Sequence, residues 1–339
     1  MAIRRPLLWI VALAACLLIT ACAVPTLPNQ PASTPETIST AMAAEAMPTA
    51  SGSSVIVVQS ITRGADSLRL PIDLAFDSTG NLFVVDSANQ RIVKYDPVGA
   101  FVTAWGGQGT GEGQFNLVDG SDGYGGVAVD LQGNVYVADT HNARVQKFSD
   151  DGGFLLQWGG KGEADGQFMA PLGIVVDSEG NVYVGDYGRN DIQKFDNAGR
   201  FLLKWGEAGK GDGQFDELSY LIMDSQDDIY VADTYNHRIQ KFDHEGRFLA
   251  KWGKQGLGDG EFQAPYGIAV DASGNVYVTE YKGHRVQRFD SNGNFLNKWA
   301  TLGAGDLNLR EPSGLAVSAN GQVYVADYGN NRVQVFAQP

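Results

Sequence analysis

A fixed period runs through most of this chain. The segments F-V-V-D, V-Y-V-A-D, V-Y-V-G-D, I-Y-V-A-D, V-Y-V-T-E and V-Y-V-A-D end on Asp86, Asp139, Asp186, Asp233, Glu280 and Asp327, at spacings of 53, 47, 47, 47 and 47 residues. Self-similarity at such a period marks a solenoid, a propeller or an array. Six copies of one unit therefore fill the chain from about Leu70 to its end. Residues that recur in every copy are expected to serve the scaffold.

The fifth copy shows what the unit is. Pro265 to Asp271 reads as a strand, Ala272-Ser273-Gly274-Asn275 as a turn, and Val276 to Glu280 as a second strand. A turn at Tyr281–His284 leads to a third strand, Arg285–Phe289. A further turn, Asp290–Gly293, leads to a fourth, Asn294–Trp299. Short alternating strands between Gly/Asn/Asp/Ser turns are all-β signals. Four strands per unit, repeated around a ring, make a β-propeller.

The wording P-x-G-I-A-V-D, then G-N-V-Y-V-A-D, then N-H-R-I-Q-K-F resembles the NHL repeat, whose name motif stands at Asn236-His237 with the strand running to Phe242. The resemblance covers residues 70–339 and implies an all-β, six-bladed propeller with four antiparallel strands per blade. Closure points the same way. The sixth unit ends at Phe336 without a counterpart of F-L-x-K-W-G, while Ser53–Ile61 is a β-rich run lacking a unit's first three strands. Placed outermost in the sixth blade, it would close the ring and leave no bare edge.

Ahead of the repeats lies a targeting segment. Arg4 and Arg5 precede an apolar stretch, Leu7–Thr20, too short for a comfortable membrane span. Ile19-Thr20-Ala21-Cys22 resembles a bacterial lipobox, which implies cleavage of residues 1–21 and a lipid on Cys22. The other cysteine, Cys16, leaves with the signal peptide, so no disulfide is expected. The Pro/Ala/Thr/Ser-rich stretch to residue 54 reads as a disordered linker, and residues 55–339 as the propeller. The expected location is extracytoplasmic, with the membrane touched through the lipid alone and the protein a monomer. The formal charge is −14, and the two arginines and two glutamates before residue 55 cancel, so the repeats carry all of it. Such a surface repels polyanions, which argues against a nucleic-acid partner.

Most eye-catching residues recur. Trp105, Trp158, Trp205, Trp252 and Trp299 stand once per unit on the outermost strand, and are expected to pack between blades. Phe115, Phe168, Phe215 and Phe262 are read likewise, as is the second-strand ring of Phe83, Tyr136, Tyr183, Tyr230, Tyr277 and Tyr324. The repeated acids are expected to pair with Arg91, Arg144, Arg238, Arg285 and Arg332. The Gly209–Gly213 run leads into a strand and lacks the Lys-Ser/Thr pair of a phosphate loop.

Function should show where the symmetry fails. Strand direction puts the loops entering first strands and those joining second to third strands on one face, here called the top. In this family's fold the first strand lines a central channel. Asp73 and Tyr220 replace the Gly found at Gly126, Gly173, Gly267 and Gly314. Tyr124, Tyr187, Tyr235, Tyr266, Tyr281 and Tyr328 fall on the same face. The third unit exchanges its Arg for Asp191 and gains Arg189. A six-residue insertion, Asp119–Tyr124, follows the first unit. Tyrosine joins a flat apolar face to a hydroxyl, which suits sugars, peptides and protein surfaces. The candidate binding residues are Asp73, Tyr124, Tyr220 and Tyr266, followed by Arg189 and Asp191.

No cofactor is expected. Asp119 and Asp122 are the one Ca²⁺ candidate, without the spaced ligands of a known loop. Some relatives of this fold are amidating lyases with zinc held by His at the start of first strands; His141, His237, His244 and His284 all stand elsewhere. No Ser/His/Asp or Cys/His set stands out as catalytic. The expected function is a lipid-anchored binding scaffold that presents its top face to a peptide, a glycan or an envelope protein. The alternatives are a propeller lyase or lactone/ester hydrolase acting at the channel mouth, and an envelope sensor or assembly partner.

Overall fold

A computed structural model of the chain describes residues 55–62 and 66–337. The expected signal peptide, Cys22 and the expected linker lie outside the described residues. The protein is an all-β, six-bladed propeller. Blade one is Pro71–Phe76, Leu82–Asp86, Arg91–Tyr95 and Phe101–Gly106, hydrogen-bonded in that order. Blade five is Pro265–Val270, Val276–Glu280, Arg285–Phe289 and Phe295–Trp299, matching the strands read from sequence. The first strands pack side by side around the channel, and that of blade one also meets blade six.

The ring closes through the N-terminal segment. Blade six takes Leu315–Val317, Val323–Asp327 and Arg332–Ala337 from one end of the chain and Ile56–Ile61 from the other. Ile61 lies opposite Val333 and Val57 opposite Phe336, with a bulge between Val57 and Gln59.

Turn chemistry explains why the first strands end where they do. Asp77 accepts the backbone N–H groups of Thr79 and Asn81 with one carboxylate oxygen, each at 2.9 Å, and Gly80 supplies the positive φ, +88°. Asp130, Asp177 and Asp271 repeat this at the same corner of their blades. An Asp side chain that mimics a backbone turn fixes the hairpin register without help from the core.

The five tryptophans join blades. Trp158 meets Tyr136 of its own blade at 6.3 Å and Phe195 of the next at 5.8 Å. Trp105, Trp205, Trp252 and Trp299 bridge in the same way. Phe115 and its counterparts are fully buried beside them. The repeated acids are buried too, and all but Asp186 pair with an Arg of their own blade: Nε of Arg144 donates to Asp139 at 2.8 Å and Nε of Arg238 to Asp233 at 2.6 Å. Arg144, Arg238, Arg285 and Arg332 then reach into the preceding connector, as Arg144 does to the carbonyls of Thr110, Gly111 and Gln114. The acids and arginines thereby tie each blade to the loop that delivers it.

Candidate functional site

The first strands enter the channel over a ring of second-to-third-strand loops, and the residue just after each repeated acid faces the top of that channel. In blades one, two and four it is Ser87, Thr140 and Thr234, whose hydroxyls donate to the carbonyls of Leu70, Pro171 and Pro265. In blades three, five and six it is Tyr187, Tyr281 and Tyr328. These three rings cannot fold back as the short side chains do, and instead line a cavity of about 180 Å³. Tyr124, Tyr235 and Tyr266 complete a bowl of six tyrosines from blades two to six, which also holds Asp122, Glu217 and Lys282.

The rings contact one another. Tyr266 lies 5.5 Å from Tyr281, Tyr281 lies 6.1 Å from Tyr328, and Tyr124 lies 6.4 Å from Tyr187. Lys282 holds its ammonium 5.3 Å from the Tyr235 ring. Burial, with Glu217 beside it, pushes the Tyr187 phenol up to about 12, and burial near Asp122 and Asp119 raises Tyr124. Tyr187 and Tyr124 therefore stay neutral as hydrogen-bond donors, with carboxylates at the rim of the bowl. One phenol is already engaged: the Tyr328 hydroxyl accepts the Gly123 N–H at 2.9 Å and donates to the Ser121 carbonyl at 3.4 Å.

That contact explains the insertion. Val118–Asp119 and Asp122–Gly123 form a small hairpin, and Gly123 packs against Ser87 and Tyr328. The inserted residues thus form one wall of the bowl. Asp119 and Asp122 face each other across this hairpin. Among the described residues, no group of three or more His, Cys, Asp or Glu side chains is placed to hold a metal ion. His141 lies edge-on to Tyr124 at 5.0 Å, and Nδ1 of His284 accepts the Glu311 N–H at 3.0 Å.

The sequence candidates divide into three places. Tyr124 and Tyr266 line the bowl. Asp73 and Tyr220 lie beneath it, lining a lower chamber of about 230 Å³ that shares no residue with the bowl. Tyr220 crosses the whole channel from blade four. Its hydroxyl donates to the Gly125 carbonyl of blade two at 2.7 Å and neighbours Ser313 of blade six, while its ring rests 5.5 Å from Tyr266. Asp73 accepts the Val127 N–H at 3.0 Å, and burial raises its carboxyl to about 7. Together they separate the two cavities.

Arg189 and Asp191 sit in neither cavity. They pair with each other at 2.7 Å, both buried, and Arg189 donates to the carbonyl of Gln167. That carbonyl is the counterpart of Gln114, which Arg144 holds in blade two. The third unit has moved its cation by two residues and kept the connector tied. Sequence reasoning did not single out Glu217 and Lys282. Glu217 stands where other units hold Leu, Ala or, in the sixth, Glu311, too weak a pattern to mark it. Lys282 falls where other units hold Ala, His, Gly or Tyr.

Comparison with known proteins agrees with this architecture. The NHL repeat model matches residues 68–95, 125–148, 168–195 and 309–336, so the chain carries NHL repeats. The model for the SMP-30/gluconolactonase/LRE-like region matches residues 221–304. A peptidyl-glycine alpha-amidating monooxygenase of Xenopus laevis is 36% identical over 94 residues, covering 26% of this chain and 10% of that protein. NHL repeat-containing protein 3 of Mus musculus is 36% identical over 91 residues, covering 25% of this chain and 24% of that protein. The chain therefore spans a quarter or less of the length of these curated relatives. Among solved structures, an auxiliary nutrient binding protein from Bacteroides ovatus superposes with a TM-score of 0.61 at 15% identity, over 85% of this chain and 77% of that one. Virginiamycin B lyase from Staphylococcus aureus gives 0.56 at 13% identity, over 84% and 99%. At these identities the likeness is one of fold.

Proposed function

We propose that the protein is a binding scaffold whose ligand, a peptide, a glycan or a loop of an envelope protein, sits in the tyrosine bowl, and that a lipid on Cys22 holds it outside the cytoplasm. The observation that carries the reading is convergence. Six of the chain's 13 tyrosines, from five different blades, meet at one cavity. Flat rings with spare hydroxyls bind sugar faces and peptide backbones at low entropic cost. A fold neighbour described as a nutrient-binding protein is consistent with this use.

The test is an array of peptides and glycans probed with the intact protein, followed by titration of each hit. Tyr235→Ala and Tyr281→Ala are expected to weaken binding tenfold or more, since stacking on an aromatic ring and its loss are worth roughly 1–3 kcal/mol. Binding that survives both substitutions would place the ligand elsewhere and sink the reading. Turnover of a bound compound would move it to the lyase or hydrolase alternative. Labelling with radioactive fatty acid tests the anchor, with Cys22→Ser expected to abolish incorporation.

A further inference from the structure

We propose that the lower chamber is a second ligand site, for a small amphipathic ammonium ion bound through Asp73. The chamber is formed by successive layers of the first strands. Its walls are aliphatic and aromatic, including Leu74, Val127, Ile174 and Leu315, and its outer layer includes Phe76 and Val317. Among the described residues, Asp73 and Tyr220 supply the only polar side chains in the lining. The Tyr220 hydroxyl is already committed to Gly125. One carboxyl is left facing an apolar space.

The scaffold does not need that carboxyl. Four of the six units place Gly at this position (Gly126, Gly173, Gly267 and Gly314) and fold into equivalent strands. The neighbouring blade is shaped to admit it. A Cβ on Gly314 would stand 2.3 Å from Asp73 Oδ1 and 2.8 Å from its Cα, so the acid and that glycine fit only together. A buried carboxylate with few partners is costly, and a cation beside it offsets the cost. A single carboxylate is too few ligands for Ca²⁺, which takes six to eight oxygens. An ammonium head on Asp73 with an alkyl tail along the walls matches both the charge and the lining. The chamber is smaller than the usual drug-sized pocket, which favours a short chain. This site is independent of the bowl above it, because Tyr220 closes the channel between them.

Calorimetric titration of the intact protein with hexylamine, hexanol and hexanoate tests the proposal. Hexylamine is expected to bind at least tenfold more tightly than either of the others. Asp73→Asn should remove that preference, and Val317→Trp should block the chamber and abolish binding. Tyr281→Ala, in the bowl, should leave hexylamine affinity unchanged. Equal binding of hexanol and hexylamine, no binding of any probe, or displacement of hexylamine by micromolar Ca²⁺ would each overturn the assignment. Failure of the bowl reading would leave these results untouched.

Discussion

Asp73 is the residue where the scaffold departs furthest from what folding favours. An acid whose folded pKa rises from 3.8 to about 7 keeps a proton that the unfolded chain gives up. Stability relative to a neutral side chain is therefore retained below about pH 4, falls as pH rises towards 7, and is flat above that. Asp73→Asn keeps an acceptor for the Val127 N–H and removes the charge. It should match the wild type in urea denaturation near pH 4 and exceed it at pH 8, by on the order of a few kcal/mol. An identical difference at both pH values would show that Asp73 is solvated through the chamber. The sequence marked Asp73 and Tyr220 as broken symmetry but did not say which cavity they serve. The reason is local: the pairing of first and second strands shifts register between Pro71 and Asp73, and again between Leu218 and Leu221. A bulge re-aims the side chains beside it, and period-two alternation cannot be read through one.

At the scale of elements, the blade-to-blade joint is what the repeat encodes. Gly199 shows how tightly it is fitted, because a Cβ there would meet the Trp158 ring at 2.8 Å on a backbone with φ +76°. Trp158→Ala is expected to cost roughly 3–5 kcal/mol, measured as a shift of the urea midpoint at unchanged slope; a shift below about 1 kcal/mol would mean that the joint relaxes. Blade three carries a second test. Removing Arg189 leaves Asp191 buried without its cation, so Arg189→Ala should cost roughly 3–5 kcal/mol. Restoring the wording of blade one, Asn89 and Arg91, through the double substitution Arg189→Asn with Asp191→Arg should recover most of that loss. Additive damage in the double variant would refute the account of a displaced but equivalent tie. The tryptophan joint and the acid–arginine pairs were legible because identical residues at a fixed period must meet identical neighbours. The Arg189–Asp191 exchange was visible as a change, yet its meaning depended on which backbone carbonyls lie within reach.

For the whole molecule, the decisive contact joins residues most distant in the chain. Closure was readable because the sixth unit lacks a strand and the N-terminal run supplies one; the bowl was readable only as a face, since a cavity depends on how six loops lean together. Ile56–Ile61 runs antiparallel to Arg332–Ala337, so the chain enters the propeller at the bottom rim, opposite the bowl. The strand itself carries more than geometry. Ile61 is buried, and Val57 packs with Trp299, Val325 and Phe336 in the core between blades five and six. Deleting residues 1–62 should therefore expose the third strand of blade six as an open edge, lower the melting temperature by several degrees, and promote association through that edge. Adding a synthetic peptide of residues 53–62 should reverse both effects, because the ladder it rebuilds is the one the intact chain uses. A truncated protein that stays monomeric with an unchanged melting temperature would mean that five complete blades and three strands hold the ring by themselves, and that the closing strand is dispensable.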